Sequence, residues 1–322
     1  MIVTLTANPS LDRTIELGGE LVRGGVQRAV AATEQPGGKG VNVSRALLAS
    51  GIDTVAVLPG DAADPMVVAL RAAGIPTATL GIDGRVRSNI TITEPDGTTT
   101  KLNEPGPTLS DSDEQALIDL VVASSRRAEW LVLAGSLPPG LHDDFYARVV
   151  RAVRASAQPG TAPRIAVDSS GVPFAALLAS GVGVDLVKPN AEELAELTGH
   201  GTGDSLESDP LAAYVAARTL VERGVAAVLA TLGARGAVLV TAEGGWIATM
   251  PPIVPRSTVG AGDSSLAGYL VGDRRGDSPG RRLAQAVAHG SAAAALPGSG
   301  MPATADTHPD SATVQPIVAA SD

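Results

Sequence analysis

The 322-residue chain contains no cysteine. That absence removes disulfides, thiolate nucleophiles and every zinc site that needs sulfur. Nitrogen ligands are scarce as well. The four histidines, His142, His200, His289 and His308, share no spacing that suggests a metal site or a catalytic triad. Aromatic residues make up 2% of the chain, so its core has to be built from Ala, Val, Leu and Gly, by close backbone approach and branched aliphatic packing. Positive charge is in short supply too: 24 Lys and Arg stand against 34 Asp and Glu, a formal net charge of -10. Such a field disfavours general binding to nucleic acid or an anionic membrane, and makes any phosphate site a local construction. No apolar run reaches the roughly 18 to 20 residues of a membrane span. The opening Met1-Ile-Val-Thr-Leu-Thr6 reads as a first strand and not as a signal peptide, so a cytoplasmic protein is expected.

What is present is alternation. Short apolar runs occur at Thr54 to Leu58, Trp130 to Leu133, Arg164 to Val167, Asp185 to Val187 and Ala227 to Ala230. Between them lie Ala-rich stretches of helical period, including Asn42 to Ala49, Pro65 to Ala73, Asp113 to Arg126, Asp144 to Ala155, Ala191 to Leu197 and Pro210 to Arg223. Repeated strand-then-helix order predicts an α/β domain with a doubly wound, mostly parallel sheet, helices on both faces and ligands at the carboxyl ends of the strands. Two segments, at about 12–34 and 85–104, break the rhythm. The second alternates apolar and polar residues around Pro95-Asp96-Gly97, a hairpin signature. Paired, they would make a small β-sheet, either a lid over a cleft or an edge decoration. The main domain is expected over residues 1–300, followed at 301–322 by a short helix and a frayed tail.

The strongest local signal is Ser257-Thr-Val-Gly-Ala-Gly-Asp263 ahead of an apolar helical run. Gly260, Ala261 and Gly262 are small enough for backbone N–H groups to converge at a helix N-terminus, where the dipole favours an anion. Asp263 is either the cap of that helix or a carboxylate base. A second glycine cluster, Gln35-Pro-Gly-Gly-Lys-Gly-Val-Asn42, places Lys39 in a first turn, against the macrodipole, which points to an anionic ligand. It is not a Walker A loop: Thr33 stands where that pattern needs Gly, and Gly40 where it needs Ser or Thr. Neither cluster completes a dinucleotide fingerprint, since Ser265 occupies the place of the third Gly. In Lys188-Pro-Asn-Ala-Glu-Glu193, Asn190 and Glu193 fit a capping box, or equally hard oxygen donors to the waters of Mg²⁺. Thr231-Leu-Gly-Ala-Arg-Gly236 is a tight turn whose backbone could approach a nucleotide. Asp12, directly after the first strand, is a solvated turn carboxylate or an acceptor for a ligand hydroxyl.

Together, in this order and spacing, these segments resemble the ribokinase-like carbohydrate kinases of the PfkB family over nearly the whole chain. Gly84-Arg-Val-Arg-Ser-Asn89 and Ala134-Gly-Ser-Leu-Pro-Pro-Gly140 add to the match. The resemblance implies ATP- and Mg²⁺-dependent phosphoryl transfer to a sugar hydroxyl, on an α/β core whose β lid commonly pairs two subunits into a homodimer. It places the general base on Asp263 and the anion hole on Gly260, Ala261 and Gly262. The sugar falls to Asp12, Gly37, Gly38, Asn42 and Ser136, and the phosphate already on the substrate to Lys39 and Arg87. Nucleotide contacts fall to Lys188, Asn190, Thr258, Gly262 and the turn Thr231, Leu232, Gly233, Ala234, Arg235 and Gly236. Metal organisation falls to Asn190 and Glu193, acting through water. Gly-Gly-Lys-Gly favours the branch acting on ketohexose phosphates, with fructose 1-phosphate the first expectation and tagatose 6-phosphate or fructose 6-phosphate the alternatives. A non-catalytic sugar-phosphate or nucleotide sensor on the same fold is the reading from another class, marked by loss of the base or of the anion-hole glycines. Neither is lost.

Overall fold

The apolar runs become strands because each has something to bury against on both faces. In the computed structural model, which describes residues 1–298 and 300–317, fourteen strands form: β1 (Ile2–Thr6), β2 (Ser10–Leu17), β3 (Ala29–Gly37), β4 (Thr54–Pro59), β5 (Thr77–Leu80), β6 (Arg87–Thr93), β7 (Thr99–Asn103), β8 (Trp130–Ala134), β9 (Arg164–Asp168), β10 (Leu186–Val187), β11 (Ala227–Thr231), β12 (Ala237–Thr241), β13 (Gly244–Thr249) and β14 (Thr313–Ile317). The helices are α1 (Lys39–Ala49), α2 (Pro65–Ala72), α3 (Asp111–Ser125), α4 (Phe145–Ser156), α5 (Gly171–Ala179), α6 (Ala191–Thr198), α7 (Gly203–Ser208), α8 (Pro210–Glu222), α9 (Ala261–Arg274) and α10 (Pro279–Ala295).

A ten-stranded sheet runs in the order β14-β13-β12-β11-β10-β9-β8-β1-β4-β5. It is parallel from β11 to β5, and antiparallel where β12, β13 and β14 extend it. Its period-two alternation sorts side chains into two cores. Val3, Leu5, Leu131, Leu133, Ile165 and Val167 point to one face and pack with α3, α4, α5, α6 and α8. Ile2, Trp130, Val132, Ala166 and Leu229 point to the other and pack with α1, α9 and α10. The scarcity of aromatics shows between α9 and α10, where a Cβ on Gly268 would stand 2.5 Å from the Gln285 carbonyl oxygen. Only glycine permits that approach.

The two segments that break the alternation form one four-stranded sheet, in the order β3-β2-β6-β7. β2 pairs antiparallel with β3 and parallel with β6, which brings Ser10 opposite Arg87 and Asp12 opposite Asn89. Residues 29–34 of β3 are exposed on both faces, so one side of this sheet is uncovered by its own chain.

The C-terminal segment differs from the expectation of a helix. After α10 the chain makes short 3₁₀ turns at Thr304–Asp306 and Pro309–Ser311 and then enters β14, antiparallel to β13. The prolines at 302, 309 and 316 oppose a helix, whereas β-branched Thr313, Val314 and Ile317 suit a strand. Pro316 is tolerated because β14 is an edge strand. Residues 313–317 therefore continue the main sheet, and the end of the expected frayed tail, after residue 317, lies outside the described residues.

Candidate active site

The parallel strands deliver their carboxyl ends to one rim, and a cleft of about 1150 Å³ opens there. β9 ends in Asp168, which is fully buried. β10 leads into Lys188, 3% exposed, whose ammonium stands 2.9 Å from Asp168 Oδ2. From α1, Lys39 Nζ donates to Asp168 Oδ1 at 2.7 Å and to Glu193 Oε1 at 3.3 Å. Burial would raise the Asp168 pKa, but Lys188 and Lys39 hold it below the usual carboxylate range. Burial works against the Lys39 ammonium, yet Asp168 and Glu193 push its pKa above the ordinary lysine value.

Asp263 enters from α9. The helix starts at Gly260, with φ 76°, and no side chain caps it. Asp263 is thus the third helical residue and not the cap, one of the two roles the sequence left open for it. Its Oδ2 accepts from Asn42 Nδ2 at 2.9 Å. Burial first and the Asp168 charge second push its pKa up to about 6, against the opposing pull of the Asn42 bond, Lys188 and Lys39. The first N–H groups of a helix have no intrahelical acceptor. Ala261 N–H turns back to the Thr258 carbonyl at 3.3 Å, so of the expected anion-hole amides that of Gly262 is the better placed for a ligand.

α6 starts differently. Asn190 Oδ1 accepts from the Glu193 amide at 2.8 Å and Glu193 Oε2 accepts from the Asn190 amide at 3.0 Å, a complete capping box. Both residues still line the cleft. Among the described residues no three His, Cys, Asp or Glu side chains could close around a metal. A hard-oxygen pair on the wall of a cleft fits an ion that keeps most of its own waters, as Mg²⁺ does.

Lys39, Lys188, Asn190, Glu193, Thr231, Gly233, Ala234, Arg235, Gly236, Thr258, Gly260, Ala261, Gly262 and Asp263 are all brought to the one cleft. Leu232 is not. It is fully buried in the core, because alternation along β11 turns it inward as Thr231 faces out. Asp12, Gly37, Gly38, Asn42, Arg87 and Ser136 do not line that cleft, and Asn42 links their side to Asp263. There Ser10 Oγ and Asn89 Nδ2 donate to Asp12 Oδ1 at 2.7 and 3.0 Å. Ser136 Oγ stands 3.5 Å from Asn8 Nδ2, which also donates to the Pro105 carbonyl at 3.0 Å.

Lys39 and Arg87 have different acidic neighbours: Asp168, Glu193 and Asp263 act on Lys39, and Asp12 on Arg87. Lys39 therefore stands in the cleft with Lys188, and its place against the macrodipole is offset by protein carboxylates. Arg87 Nη1 donates to the Glu104 carbonyl at 3.2 Å, while its Nε is buried with no hydrogen-bond partner among the described residues. Asp168 was missed in the sequence. Its signal was position alone, an acidic residue directly after the strand run Arg164 to Val167 and so at the rim where ligands bind.

Comparison with known proteins agrees with this geometry. A 1-phosphofructokinase of Xanthomonas campestris is 35% identical over 274 residues, covering 84% of this chain and 83% of its own. Phosphofructokinase-2 from Escherichia coli, solved in complex with substrates and products, superimposes with a TM-score of 0.84 at 31% identity, covering 95% of this chain and 96% of that one. Ribokinase from Arabidopsis thaliana shares the fold, with a TM-score of 0.74 at 22% identity over 95% and 96% of the two chains. With the description "pfkB family carbohydrate kinase" matching residues 6–302, the chain belongs to that family, on a ribokinase-like α/β fold with a small second sheet.

Proposed function

We propose that this chain transfers the γ-phosphoryl group of ATP to a hydroxyl of a ketohexose phosphate, fructose 1-phosphate first among the candidates. The observation that carries the reading is the buried Asp263 carboxylate on the wall of the cleft, raised toward neutrality and held by Asn42. A base with a pKa of about 6 is ionised at neutral pH and still basic enough to take a proton from a hydroxyl in the transition state. The acceptor oxygen forms its bond to phosphorus, its proton passes to Asp263, and the bond to the leaving diphosphate breaks. The open N-terminus of α9 supplies N–H groups and dipole to the migrating group. Lys39 and Lys188 line the same cleft as compact charges for the phosphates, each oriented by Asp168. Glu193 and Asn190 would organise the waters of Mg²⁺, which when bound neutralises charge on the phosphate oxygens. The turn at 231–236 and Thr258 border the nucleotide, and Asp12, Asn42 and the Gly37-Gly38 backbone border the sugar.

For the phosphate already on the substrate, Arg87 is the anchor, its buried Nε lacking an acceptor among the described residues. The 1-phosphofructokinase relative favours fructose 1-phosphate. The test is kcat/KM on fructose 1-phosphate, tagatose 6-phosphate and fructose 6-phosphate with ATP and Mg²⁺. Fructose 1-phosphate is expected to lead by about tenfold or more, which corresponds to roughly 1.4 kcal/mol of preferential transition-state binding. A lead for another ketohexose phosphate reassigns the substrate, and turnover of none points to a binding protein.

The partner of the uncovered sheet face is a second copy of this chain. On its two edge strands Val30 and Leu102 are exposed, at 66 and 55%. Light scattering is expected to give the mass of a dimer or a multiple of it, and a monomer at micromolar concentration would remove this assignment.

A further inference from the structure

Arg45 has no place in the assignments above. It lies on α1 three residues after Asn42, a spacing that puts the two side chains on one helix face. Its Nη1 donates to Asn42 Oδ1 at 3.3 Å and to the Pro36 carbonyl at 3.3 Å. The other end of the same carboxamide, Asn42 Nδ2, donates to Asp263 Oδ2 at 2.9 Å. A carboxamide is planar, so fixing its oxygen fixes its nitrogen. A guanidinium has only donors and can accept nothing from Nδ2, which leaves one favourable orientation for the amide. With the amide turned over, Oδ1 would face the carboxylate and repel it.

We propose that Arg45 is a positioning residue for phosphoryl transfer: by holding Asn42 Oδ1 it keeps Nδ2 on Asp263 and so fixes the direction in which the base presents its carboxylate. The inference rests on the reading of Asp263 as the base. Its contact with Pro36 also ties down the peptide ahead of Gly37-Gly38, so one side chain couples the end of β3, the first helix and the base. Asp12 supports the Arg45 charge against the cost of burial, which makes a charged fork sustainable at this depth. A neighbouring reading, in which Arg45 binds the substrate phosphate, makes a different kinetic prediction.

The experiment is a double-mutant cycle of Arg45→Ala with Asn42→Ala, measured with ATP, Mg²⁺ and the phosphosugar that the wild type turns over fastest. Arg45→Ala is expected to lower kcat by about 10- to 10²-fold, as a misaimed catalytic group does, with both KM values within about threefold. In the Asn42→Ala background, the same change should cost no more than about twofold, because the residue through which it acts is gone. Losses that multiply in the double variant would overturn the proposal. So would an effect confined to the KM of the phosphosugar, the mark of a phosphate contact. Should Arg45→Ala unfold, Arg45→Lys carries the cycle: it keeps the charge, loses the planar fork and should again lose kcat only where Asn42 is present. A wild type with no turnover on any phosphosugar removes the Asp263 reading and this one with it, whereas an active wild type with multiplying losses removes Arg45 alone.

Discussion

α9 and α3 begin in opposite ways. α3 is closed at its N-terminus: Ser110 Oγ accepts from the Asp113 amide at 3.2 Å, and Asp113 Oδ2 accepts from the Ser110 amide at 2.9 Å. α9 begins on a left-handed Gly260 with no side-chain cap, and the acidic residue at the same third position, Asp263, turns away to Asn42. Both helices carry a carboxylate in the first turn, and the difference lies in what it touches. In α3 it satisfies the backbone, and the hydrogen bonds from Ser110 hold the Asp113 pKa below the usual range. In α9 it is buried beside Asp168, its pKa rises, and the backbone amides are left for something else. α1 follows the α9 pattern, with Gly38 at φ 105° and no side-chain cap, and it supplies Lys39 and Asn42 to the same site. α6 is intermediate, lining the cleft with a closed box. The two helix starts that bring Asn42 and Asp263 together, those of α1 and α9, both lack a side-chain cap.

The sharpest way to break the comparison is to neutralise the carboxylate that does no capping. Asp263→Asn should lower kcat by roughly 10²- to 10⁴-fold, with ATP binding retained and little change in Tm, since no backbone amide depends on it. The wild-type pH profile carries a matching mark. Asp263 must be ionised to accept a proton, so kcat/KM should rise with pH up to about 6 and level off above it, falling tenfold per unit on the acid side. An Asn variant with wild-type turnover, or an acid limb that persists unchanged in its residual activity, would return Asp263 to an ordinary structural role.

Most of this architecture was legible because alternation of apolar runs and Ala-rich stretches is what a parallel sheet covered on both faces requires, and the Pro95-Asp96-Gly97 turn marks its hairpin. The glycine clusters were legible for a related reason, since backbone approach at a helix start demands small residues. What stayed hidden was pairing across distance. Nothing local to Lys39 announces that Asp168, 129 positions away, receives its ammonium. An anionic ligand therefore explained its position better than helix stability did. Leu232 was drawn into the nucleotide turn by its neighbours, although strand alternation sends it to the core. β14 was missed because an edge strand of five residues has no repeated pattern, and its value comes from β13, more than 60 positions earlier.

The smaller effects come from the two helix starts themselves, and they should separate cleanly. Gly260→Ala places a side chain at φ 76°, a conformation that costs an L-residue about 1 to 2 kcal/mol, and its Cβ would stand 2.7 Å from Met301 Cε. The thioether end can yield, so the helix should form with its first amides displaced. A displacement near 1 Å at a reacting centre is worth up to about 10²-fold in rate, so kcat should fall by about 10- to 10²-fold along with a modest loss of stability. Ser110→Ala makes the complementary change in α3, outside the cleft. Removing a side-chain cap costs about 1 kcal/mol, so Tm should drop by roughly 2 °C while kcat and both KM values stay within about twofold. Thermal melts and steady-state kinetics on the two variants decide the matter. If Gly260→Ala costs only stability, or if Ser110→Ala costs rate, the open start of α9 is not what sets it apart from α3.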